Sequence, residues 1–480
     1  MSLKFGTSGI RGLNTEFNEK TVRAYITAFI QYAETKTSVG KIAIGGDLRE
    51  STPGIQRMVE EILNSLGSKP LDCGKLPTPA LALYCIEKKV PGIMITGSHI
   101  PADRNGIKFY WPWGEILKED ELEIVNRFDF IYSKIIKEFN EEHQFVDEAS
   151  NLYIERYTNF FSPYREKFKG KKIIVYQHSA VARDIWKPIL SNLGFEVLEV
   201  GRTSIFTPVD TETNEAVSAL EKLLKPLKLS DFFAIVSSDG DADRPFLCDE
   251  NLEMVRGDSI GILSSEFLNA EYIVTPVSTN TALEKAKISD NIIRTKIGSP
   301  FVIEGMSRIA AELKNSVSIN DQAKVIVGFE ANGGLLLGSD ICKNGLSLTQ
   351  LPTRDSILPI LCCLALASEK SLRLSQLVET LPRRFTDSDL LREFPIEKKS
   401  EIYREVIAGE SFKRKFISKY GEITDQNEVD GLRLTFANGD IIHFRPSGNA
   451  PEFRCYAEAA TSLLAKTLVS EGINWLSSFI

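Results

Sequence analysis

The strongest constraint on the fold is an alternation of short apolar runs with segments of helical periodicity along the first three-quarters of the chain. Apolar runs bounded by turn residues are typical of buried strands, and their alternation with amphipathic segments is typical of α/β domains. The strand candidates are 42–44, 93–95, 173–176, 232–236, 273–277 and 325–327. An α/β architecture is therefore predicted for this part of the chain.

One unit can be read in detail between the first two of these runs. Thr52 can cap a helix that has Pro53 at its first position, and Gly67 stops it. The residues between them form one apolar face at helical spacing: Ile55, Met58, Val59, Ile62, Leu63 and Leu66. The segment is predicted to form a strand-helix-strand unit.

The last hundred residues change character. Apolar and polar residues alternate over 432–436, Asn438-Gly439 supplies a two-residue hairpin turn, and 441–444 forms the return strand. A further strand is predicted at 453–456. These features predict a smaller α+β domain.

Length and charge limit the classes of protein. A chain of 480 residues is too long for one ordinary domain and allows three or four. Its 57 basic and 65 acidic residues give a net charge of −8, which disfavours nucleic acid and anionic membranes as partners. A small anionic ligand is compatible with this charge if the positive residues that bind it are concentrated in a few places.

Several features favour a cytoplasmic location. The seven cysteines include no C-x-x-C pair, and an odd number in so long a chain does not describe a disulfide framework. From Met1 the chain enters a glycine-rich polar segment, without the apolar stretch of a signal peptide. The longest apolar run, 357–367, is shorter than the ~20 residues of a membrane span and is predicted to be a buried helix.

Four loops carry polar residues suited to chemistry, and the first is 96–108. Ser98 lies where a buried strand ends abruptly, which is where open α/β sheets place their ligands, so it is a candidate nucleophile. The alternative is an ordinary turn in which Thr96 and Ser98 hydrogen-bond the backbone and His99 is structural.

The second loop, 237–245, contains Asp239, Asp241 and Asp243 directly after an apolar strand. Three carboxylates separated by small residues can converge on one hard cation, and Mg²⁺ fits better than Ca²⁺ because few oxygens are present. A solvated acidic turn is the alternative. The preceding buried strand favours metal, because three like charges there would be unfavourable without a cation.

The third loop is the glycine-rich turn 328–334. Glu330 and Asn332 offer one carboxylate and one amide, which suit the donors and acceptors of neighbouring sugar hydroxyls. A turn without a ligand is the default explanation when the motif is considered alone.

The fourth loop, 445–454, joins two strands of the last domain. An arginine, a hydroxyl, an amide and exposed backbone N–H groups in a tight loop form a candidate phosphate clamp, and Arg454 can reach back from the following strand. An ordinary turn is again the alternative. The segment 6–12, G-T-S-G-I-R-G, has similar content and offers another anion site.

Taken together in this order, the four loops and the segment 6–12 resemble the α-D-phosphohexomutase family over nearly the whole chain. The finer pattern resembles most the bacterial phosphomannomutases that feed GDP-mannose synthesis, and it lies at 208–212, 239–245, 297–300, 351–355 and 447–451.

The resemblance implies three similar mixed-sheet α/β domains and a smaller C-terminal α+β domain around a central cleft. The expected domains are 1–145 with the phosphoserine loop, 146–254 with the metal loop, 255–384 with the sugar-binding loop and 385–480 with the phosphate-binding loop. Four domains are therefore expected.

Site residues follow from the same resemblance. Ser98 would hold a phosphoryl group, with His99, Arg11, Lys108 and Arg244 as the other catalytic residues. The implied ligands of Mg²⁺ are a phosphoserine oxygen of Ser98 together with Asp239, Asp241 and Asp243. The sugar hydroxyls would be held by Glu330 and Asn332, and the non-reacting phosphate by Arg445, Ser447, Gly448, Asn449 and Arg454.

The implied reaction interconverts mannose 6-phosphate and mannose 1-phosphate in two steps. Phosphoserine 98 phosphorylates a hexose monophosphate, and the resulting hexose 1,6-bisphosphate reorients and returns its other phosphate to the serine. A hexose 1,6-bisphosphate is therefore expected as an activator, and a small hexose phosphate as the partner.

Two positions depart from many relatives, and both leave the general base open. Gly334 stands where many relatives carry histidine, and Ser299 where some relatives do. Lys108, His99 and Glu330 are the available proton-transfer candidates.

Two kinds of alternative function are considered. Phosphoglucomutase and phosphoglucosamine mutase share this chemistry, although the latter is expected to carry G-E-x-S-G in the third loop. A noncatalytic sugar-phosphate binding protein would need neither Ser98 nor the three aspartates.

Overall fold

The computed structural model describes residues 3–6, 9–131, 144–213, 215–315, 324–394, 396–446 and 452–480. The chain divides into two compact units. The first comprises Met1–Val274 and Gly298–Val378, and the second comprises Thr275–Ile297 and Glu379–Ile480. Within the described residues, none of the helices has both the length and the apolar character needed to cross a bilayer.

The first α/β domain is built on a mixed eight-stranded sheet. Its strands are β1 (Lys4–Phe5), β2 (Ile10–Leu13), β3 (Lys41–Gly46), β4 (Lys69–Lys75), β5 (Gly92–Ile95), β6 (Arg104–Trp111), β7 (Gly114–Glu115) and β8 (Gln144–Phe145). Its helices are α1 (Glu19–Ala33), α2 (Thr52–Ser65), α3 (Thr78–Lys88) and α4 (Lys118–Ile131). The sheet order is β1-β2-β6-β5-β3-β4-β8, with β7 paired to β6. Strand β3 is parallel to β4 and β5, and β5 is antiparallel to β6.

Helix α2 confirms the predicted strand-helix-strand unit but begins differently. Its N-cap residue is Ser51, whose side chain caps nothing, and Thr52 is already the first helical residue. The Thr52 hydroxyl donates a 2.5 Å hydrogen bond to the buried carboxylate of Asp47 instead of capping the helix. The predicted Thr52 cap is therefore wrong, because a buried carboxylate competes for the hydroxyl.

The second α/β domain has a four-stranded mixed sheet. Its strands are β9 (Lys172–Tyr176), β10 (Glu196–Val200), β11 (Phe232–Ser238) and β12 (Pro245–Cys248). Its helices are α5 (Glu148–Phe160), α6 (Arg165–Phe168), α7 (Arg183–Asn192) and α8 (Glu215–Leu224). The order is β10-β9-β11-β12, where β9 is parallel to β10 and β11, and β12 is antiparallel to β11.

The third α/β domain repeats this plan. Its strands are β13 (Tyr272–Pro276), β14 (Asn291–Thr295), β15 (Ile326–Phe329), β16 (Leu335–Leu337), β17 (Ile341–Lys343), β18 (Leu346–Leu348) and β19 (Leu351–Asp355). Its helices are α9 (Gly257–Phe267), α10 (Ala282–Ala286), α11 (Ser299–Asn315), α12 (Ile357–Glu369) and α13 (Leu374–Glu379). Strands β13, β15, β16 and β19 are neighbours in that order. Residues 357–368 of α12 are all buried, which confirms the predicted buried helix.

The last domain is a five-stranded antiparallel sheet with helices. Its strands are β20 (Phe385–Arg392), β21 (Ile423–Asn427), β22 (Leu432–Phe436), β23 (Ile441–Pro446) and β24 (Glu452–Ala459). Its helices are α14 (Lys399–Ala408), α15 (Glu410–Phe412), α16 (Ser418–Tyr420) and α17 (Ser462–Ser477). The order is β20-β24-β23-β22-β21. The α+β prediction is confirmed.

The hairpin between β22 and β23 has a longer turn than predicted. The N–H of Gly439 donates to the carbonyl of Phe436, and the N–H of Phe436 donates to the carbonyl of Asp440. Three residues, 437–439, therefore form the loop, and Gly439 takes the left-handed conformation at φ 82°. A type I turn followed by a left-handed glycine keeps the strand twist, which explains why the predicted two-residue turn is wrong.

The three α/β domains share one chain order at the centre of their sheets. The first has β6-β5-β3-β4, the second has β12-β11-β9-β10, and the third has the matching β16-β15-β13-β14. In each domain the third of these strands along the chain, β5, β11 or β15, is followed by an antiparallel neighbour, β6, β12 or β16. The serine, aspartate and glutamate loops all occupy this hairpin, at the carboxyl end of a strand where the chain order reverses. Open α/β sheets bind ligands at such points.

Candidate active site

Ser98 lies in the hairpin after β5, in a conformation that is unfavourable for a residue with a side chain. Its φ is 56°, and it is fully buried. Its N–H donates to Thr96 Oγ1 at 2.8 Å, and its hydroxyl donates to Asp239 Oδ2 at 2.6 Å. The serine of the first domain therefore contacts the acidic loop of the second.

His99 lies beside this hydroxyl. Its Nδ1 is 3.2 Å from Ser98 Oγ. Burial lowers the pKa of His99 to about 2, and the positive charges of Arg244 and Arg11 act in the same direction. The imidazole is therefore neutral near pH 7.

Asp239, Asp241 and Asp243 come together after β11 as the sequence predicts. All three are buried, and one carboxylate oxygen from each lies within 4.8 Å of the others. Oδ1 of Asp241 and Oδ1 of Asp243 accept no hydrogen bond from the described residues, although both atoms are buried. Buried, unsatisfied carboxylate oxygens are the donors that a hard divalent cation requires, so these residues fit a metal ion.

Burial and neighbouring charges shift the pKa values of Asp239 and Asp243 in opposite directions. Burial raises the pKa of Asp239 well above its usual range, and the charges of Asp241 and Asp243 raise it further. Burial would also raise the pKa of Asp243, but Arg354, Lys108 and Arg244 together hold it below its usual value. The cations of the site therefore stabilise the ionised form of Asp243.

Lys108 supplies charge from β6. It is buried, and its Nζ donates to Oδ2 of Asp241 at 2.7 Å and to Oδ2 of Asp243 at 2.8 Å. Burial disfavours the ammonium, but the two aspartates outweigh it and raise the pKa of Lys108. Lys108 is therefore held as a cation between two acids.

Arg11 and Arg244 add further positive charge. Arg11 lies on β2 opposite Gly106 of β6. Burial lowers the pKa of Arg11 to about 10, and the charges of Arg244 and Arg354 contribute. The backbone N–H of Arg244 donates to Asp239 Oδ1 at 3.2 Å, and its guanidinium lies 3.7 Å from Glu212. The two arginines therefore lie at the acidic loop.

Glu330 occupies the equivalent turn after β15 and is joined to the acidic loop by Arg354. One guanidinium nitrogen of Arg354 donates to Glu330 Oε2 at 3.0 Å, and another donates to Asp243 Oδ2 at 2.6 Å. Oδ1 of Asn332 accepts from the N–H of Gly334 at 2.9 Å. The structure thus brings the glutamate of the third domain to the loops of the first two.

Arg354 was not assigned a role from the sequence. It lies near the end of β19 and is 2% exposed. A charged pair, Arg354-Asp355, at the end of a strand and before an apolar helix is the sequence signal that could have identified it. Thr78, at the start of α3, was also missed, and its hydroxyl donates to Asp241 Oδ2 at 2.7 Å. Arg49 is a third omission, since it donates to the backbone of the serine loop.

The two departures at Gly334 and Ser299 have structural explanations. A Cβ at position 334 would lie 2.9 Å from Cδ of Arg354 and 2.9 Å from the carbonyl oxygen of Asp243. Ser299 is fully buried, and its hydroxyl donates to Glu115 Oε2 at 3.1 Å. Arg354 thus fills the space next to position 334, and Ser299 is engaged by Glu115.

The predicted phosphate clamp belongs to the second compact unit. Arg445 and Arg454 face each other on β23 and β24. Nε of Arg445 donates to Asp430 Oδ2 at 2.8 Å, and Asp430 Oδ2 also accepts from the N–H of Ile297. The other three predicted clamp residues lie outside the described residues: Ser447, Gly448 and Asn449.

Comparisons with known proteins agree with this geometry. Three families match, described as phosphoglucomutase/phosphomannomutase alpha/beta/alpha domains I, II and III, at residues 2–134, 151–253 and 256–385. The chain is 41% identical to a phosphomannomutase of Sinorhizobium fredii, covering 100% of this chain and 99% of that protein. It is 38% identical to a phosphomannomutase of Salmonella muenchen, covering 99% and 96%. A putative phosphomannomutase structure from Thermus thermophilus superposes with a TM-score of 0.75 at 19% identity, covering 99% and 100%.

Three mixed α/β domains, each with a chemistry-bearing hairpin, followed by an α+β domain define the fold class of the α-D-phosphohexomutases. The chain belongs to the phosphoglucomutase/phosphomannomutase family, whose members are isomerases that move a phosphoryl group within a sugar phosphate. The predicted family and fold class are confirmed.

Proposed function

We propose that this protein interconverts mannose 6-phosphate and mannose 1-phosphate through a phosphorylated Ser98 and a hexose 1,6-bisphosphate. The observation that carries this proposal is the contact of Ser98 Oγ with Asp239, at 2.6 Å, beside two further buried aspartates. Two relatives that match nearly the whole chain are phosphomannomutases, which favours mannose as the sugar.

The first step transfers the phosphoryl group from Ser98 to a free hydroxyl of the hexose monophosphate. The bond between phosphorus and Ser98 Oγ breaks and a bond between phosphorus and the sugar oxygen forms. The sugar hydroxyl gives up one proton, and Ser98 Oγ takes one up as it leaves and becomes a hydroxyl again. Such transfers depend chiefly on positioning and on neutralising the charge of the phosphoryl oxygens. Arg11, Lys108 and Arg244, which all interact with the acidic loop, would provide that charge.

Asp239, Asp241 and Asp243 would hold Mg²⁺ together with an oxygen on Ser98. Their orphaned buried oxygens support a cation at this place. The ion, when bound, neutralises charge on the phosphoryl group. Lys108 Nζ, at 2.7 Å from Asp241 and 2.8 Å from Asp243, would keep these two aspartates oriented.

The second step returns the other phosphate of the bisphosphate to Ser98. The Ser98 hydroxyl must lose its proton, and the sugar oxygen that leaves the phosphate must take one up. Asp239 Oδ2 already accepts the Ser98 hydroxyl and is positioned to take the proton, whereas the lowered pKa of His99 makes its imidazole a weak base. Between the steps the sugar must reverse its direction. Glu330 and Asn332 would hold its hydroxyls, and the loop from Arg445 to Arg454 would grip whichever phosphate is not reacting.

A coupled assay tests this function with mannose 1-phosphate, glucose 1-phosphate and glucosamine 1-phosphate. Mg²⁺ and glucose 1,6-bisphosphate are included so that the serine is primed. Turnover should be fastest with mannose 1-phosphate and should require the bisphosphate. Faster turnover of glucose or glucosamine phosphate would reassign the sugar, and no turnover of any of the three would remove the mutase proposal.

A further inference from the structure

Arg49 holds the serine loop by its backbone. One nitrogen of its guanidinium donates to the carbonyls of Pro101 and Arg104, at 2.7 and 2.9 Å. The other terminal nitrogen donates to the carbonyls of Ser98 and Ile100, at 3.0 and 2.6 Å. Four carbonyls of one hairpin thus converge on a single planar cation.

The cation is itself held in place by Asp47 at the end of β3. Nε of Arg49 donates to Asp47 Oδ2 at 3.2 Å, and both side chains are fully buried. The same carboxylate accepts from the Thr96 hydroxyl at 2.8 Å and from the N–H of Gly97 at 3.2 Å. Asp47 and Arg49 therefore fix the serine loop on both sides of its bend.

The packing around Arg49 leaves little freedom. A Cβ at Gly97 would lie 2.6 Å from the guanidinium carbon, and the guanidinium lies 4.0 Å from the ring centroid of Phe206 in the second domain. A Cβ at Gly240, between two of the aspartates, would lie 2.7 Å from the carbonyl of Ser98. The serine loop is therefore confined between Arg49 and the acidic loop.

We propose that Arg49 is a positioning residue for phosphoryl transfer, which keeps Ser98 in its left-handed conformation with the hydroxyl directed at Asp239. The inference rests on the proposed function, because it gives Ser98 the role of phosphoryl carrier. Arg49 contacts the carbonyl of Ser98 and not its hydroxyl, so it acts through the geometry of the backbone. A planar fork is needed, because the ammonium of a lysine cannot reproduce two pairs of carbonyl contacts.

The test compares Arg49→Lys and Arg49→Ala with wild type, with Arg57→Lys and Arg57→Ala as matched controls. Arg57 is an exposed arginine on α2, the helix that follows Arg49. The measurements are kcat and KM for mannose 1-phosphate, the rate at which the bisphosphate phosphorylates Ser98 by intact mass, and the melting temperature.

Arg49→Lys should lower kcat and the rate of Ser98 phosphorylation by at least about tenfold while KM changes less than about twofold, because misplacing the nucleophile affects the transfer step. Millimolar guanidinium chloride should partly restore kcat in Arg49→Ala and in neither Arg57 variant. Such rescue does not require Arg49→Ala to be as stable as wild type.

Three results would overturn the inference: unchanged kcat in Arg49→Lys, a matched loss of kcat and folded protein without rescue, or equal effects in the Arg57 variants. Inactive wild-type enzyme would instead contradict the proposed function, so the two failures are distinguishable.

Discussion

The hydroxyl of Ser98 donates a 2.6 Å hydrogen bond to Asp239, although the two residues are 141 positions apart. Each lies just beyond the third strand of an α/β plan, Ser98 after β5 and Asp239 after β11. Equivalent hairpins of two domains thus form one site. A substitution at Ser98 or at Asp239 should therefore alter the environment of the other side chain.

Replacing Ser98 by alanine should abolish the phosphoenzyme. Intact mass should show a phosphorylated fraction in wild type that disappears in Ser98→Ala, and kcat should fall at least about a thousandfold because the carrier hydroxyl is lost. Ser51→Ala, in the same domain, is the control. Phosphate that persists on Ser98→Ala would place the modification elsewhere.

Replacing Asp241 by asparagine should remove the response to Mg²⁺ without unfolding the protein. A ligand at about 100 times its Kd stabilises the folded state by about 2.7 kcal/mol, and this gain should fall by more than half in the variant. Without Mg²⁺ the free energy of unfolding should change by less than about 1 kcal/mol. The substitution removes one of three mutually repelling carboxylates, while Lys108 keeps its hydrogen bond to Asp243.

Melting curves with and without Mg²⁺ measure both effects, and Asp231→Asn, an exposed acid of the second domain, is the control. An equal Mg²⁺ response in Asp241→Asn would exclude this loop as the metal site. An unfolded variant would show that the aspartate is structural.

Replacing Gly334 by alanine should destabilise the protein by about 1–3 kcal/mol, because the new methyl overlaps the stem of Arg354 and the carbonyl of Asp243. Urea unfolding measures the change. Gly54→Ala in α2 is the control, since a Cβ there meets no atom of the described residues within 4 Å, and it should be stabilising by up to about 1 kcal/mol. If Gly334→Ala were as stable as wild type, the space would not be limiting.

Acid should weaken the fold through His178. Burial lowers the pKa of His178 from 6.5 to about 4, and the carbonyl of Ser238 lies 2.9 Å from its Nε2. Between these two values the unfolded chain binds the proton and the folded chain does not. Stability is therefore fully present above pH 6.5 and decreases as the pH falls towards 4, by up to about 3 kcal/mol.

The measurement is urea unfolding of wild type and His178→Gln across this pH range. The variant should lose less stability than wild type on acidification, so the difference between the two should shrink at low pH. Parallel curves would mean that His178 titrates alike in both states.

Much of the fold could be read from the sequence because strands and helices leave local patterns. The buried strands at 93–95 and 232–236, the apolar helix at 357–367 and the last-domain hairpin were predicted and are present. The predictions are wrong where a side chain bonds a nearby buried group that the propensity rule ignores, or where a turn has a finer geometry than its residue types specify. Thr52 bonds a buried carboxylate instead of capping, and Ala437 adds a third residue to the turn of Asn438 and Gly439.

The candidate site was predictable where chemistry-bearing residues directly follow an apolar strand. Ser98, the three aspartates and Glu330 were identified for that reason. Thr78 carries no such mark, and Arg49 after β3 and Arg354 at the end of β19 carry only a weak one. The importance of these three residues comes from what they contact, which is one aspartate for Thr78, four carbonyls for Arg49 and two acids for Arg354.

The sequence by itself determined the kinds of element, the loops and the types of chemical group, because periodicity and the ends of buried strands are local properties. Only the tertiary structure decided which groups meet. Contacts between the first two domains, such as the bond of Ser98 to Asp239, place their hairpins together, and Arg354 joins the third domain to them at Asp243. In this buried site the cations Lys108 and Arg354 compensate the charges of the acids they contact, and no local pattern of residues can specify such a pairing.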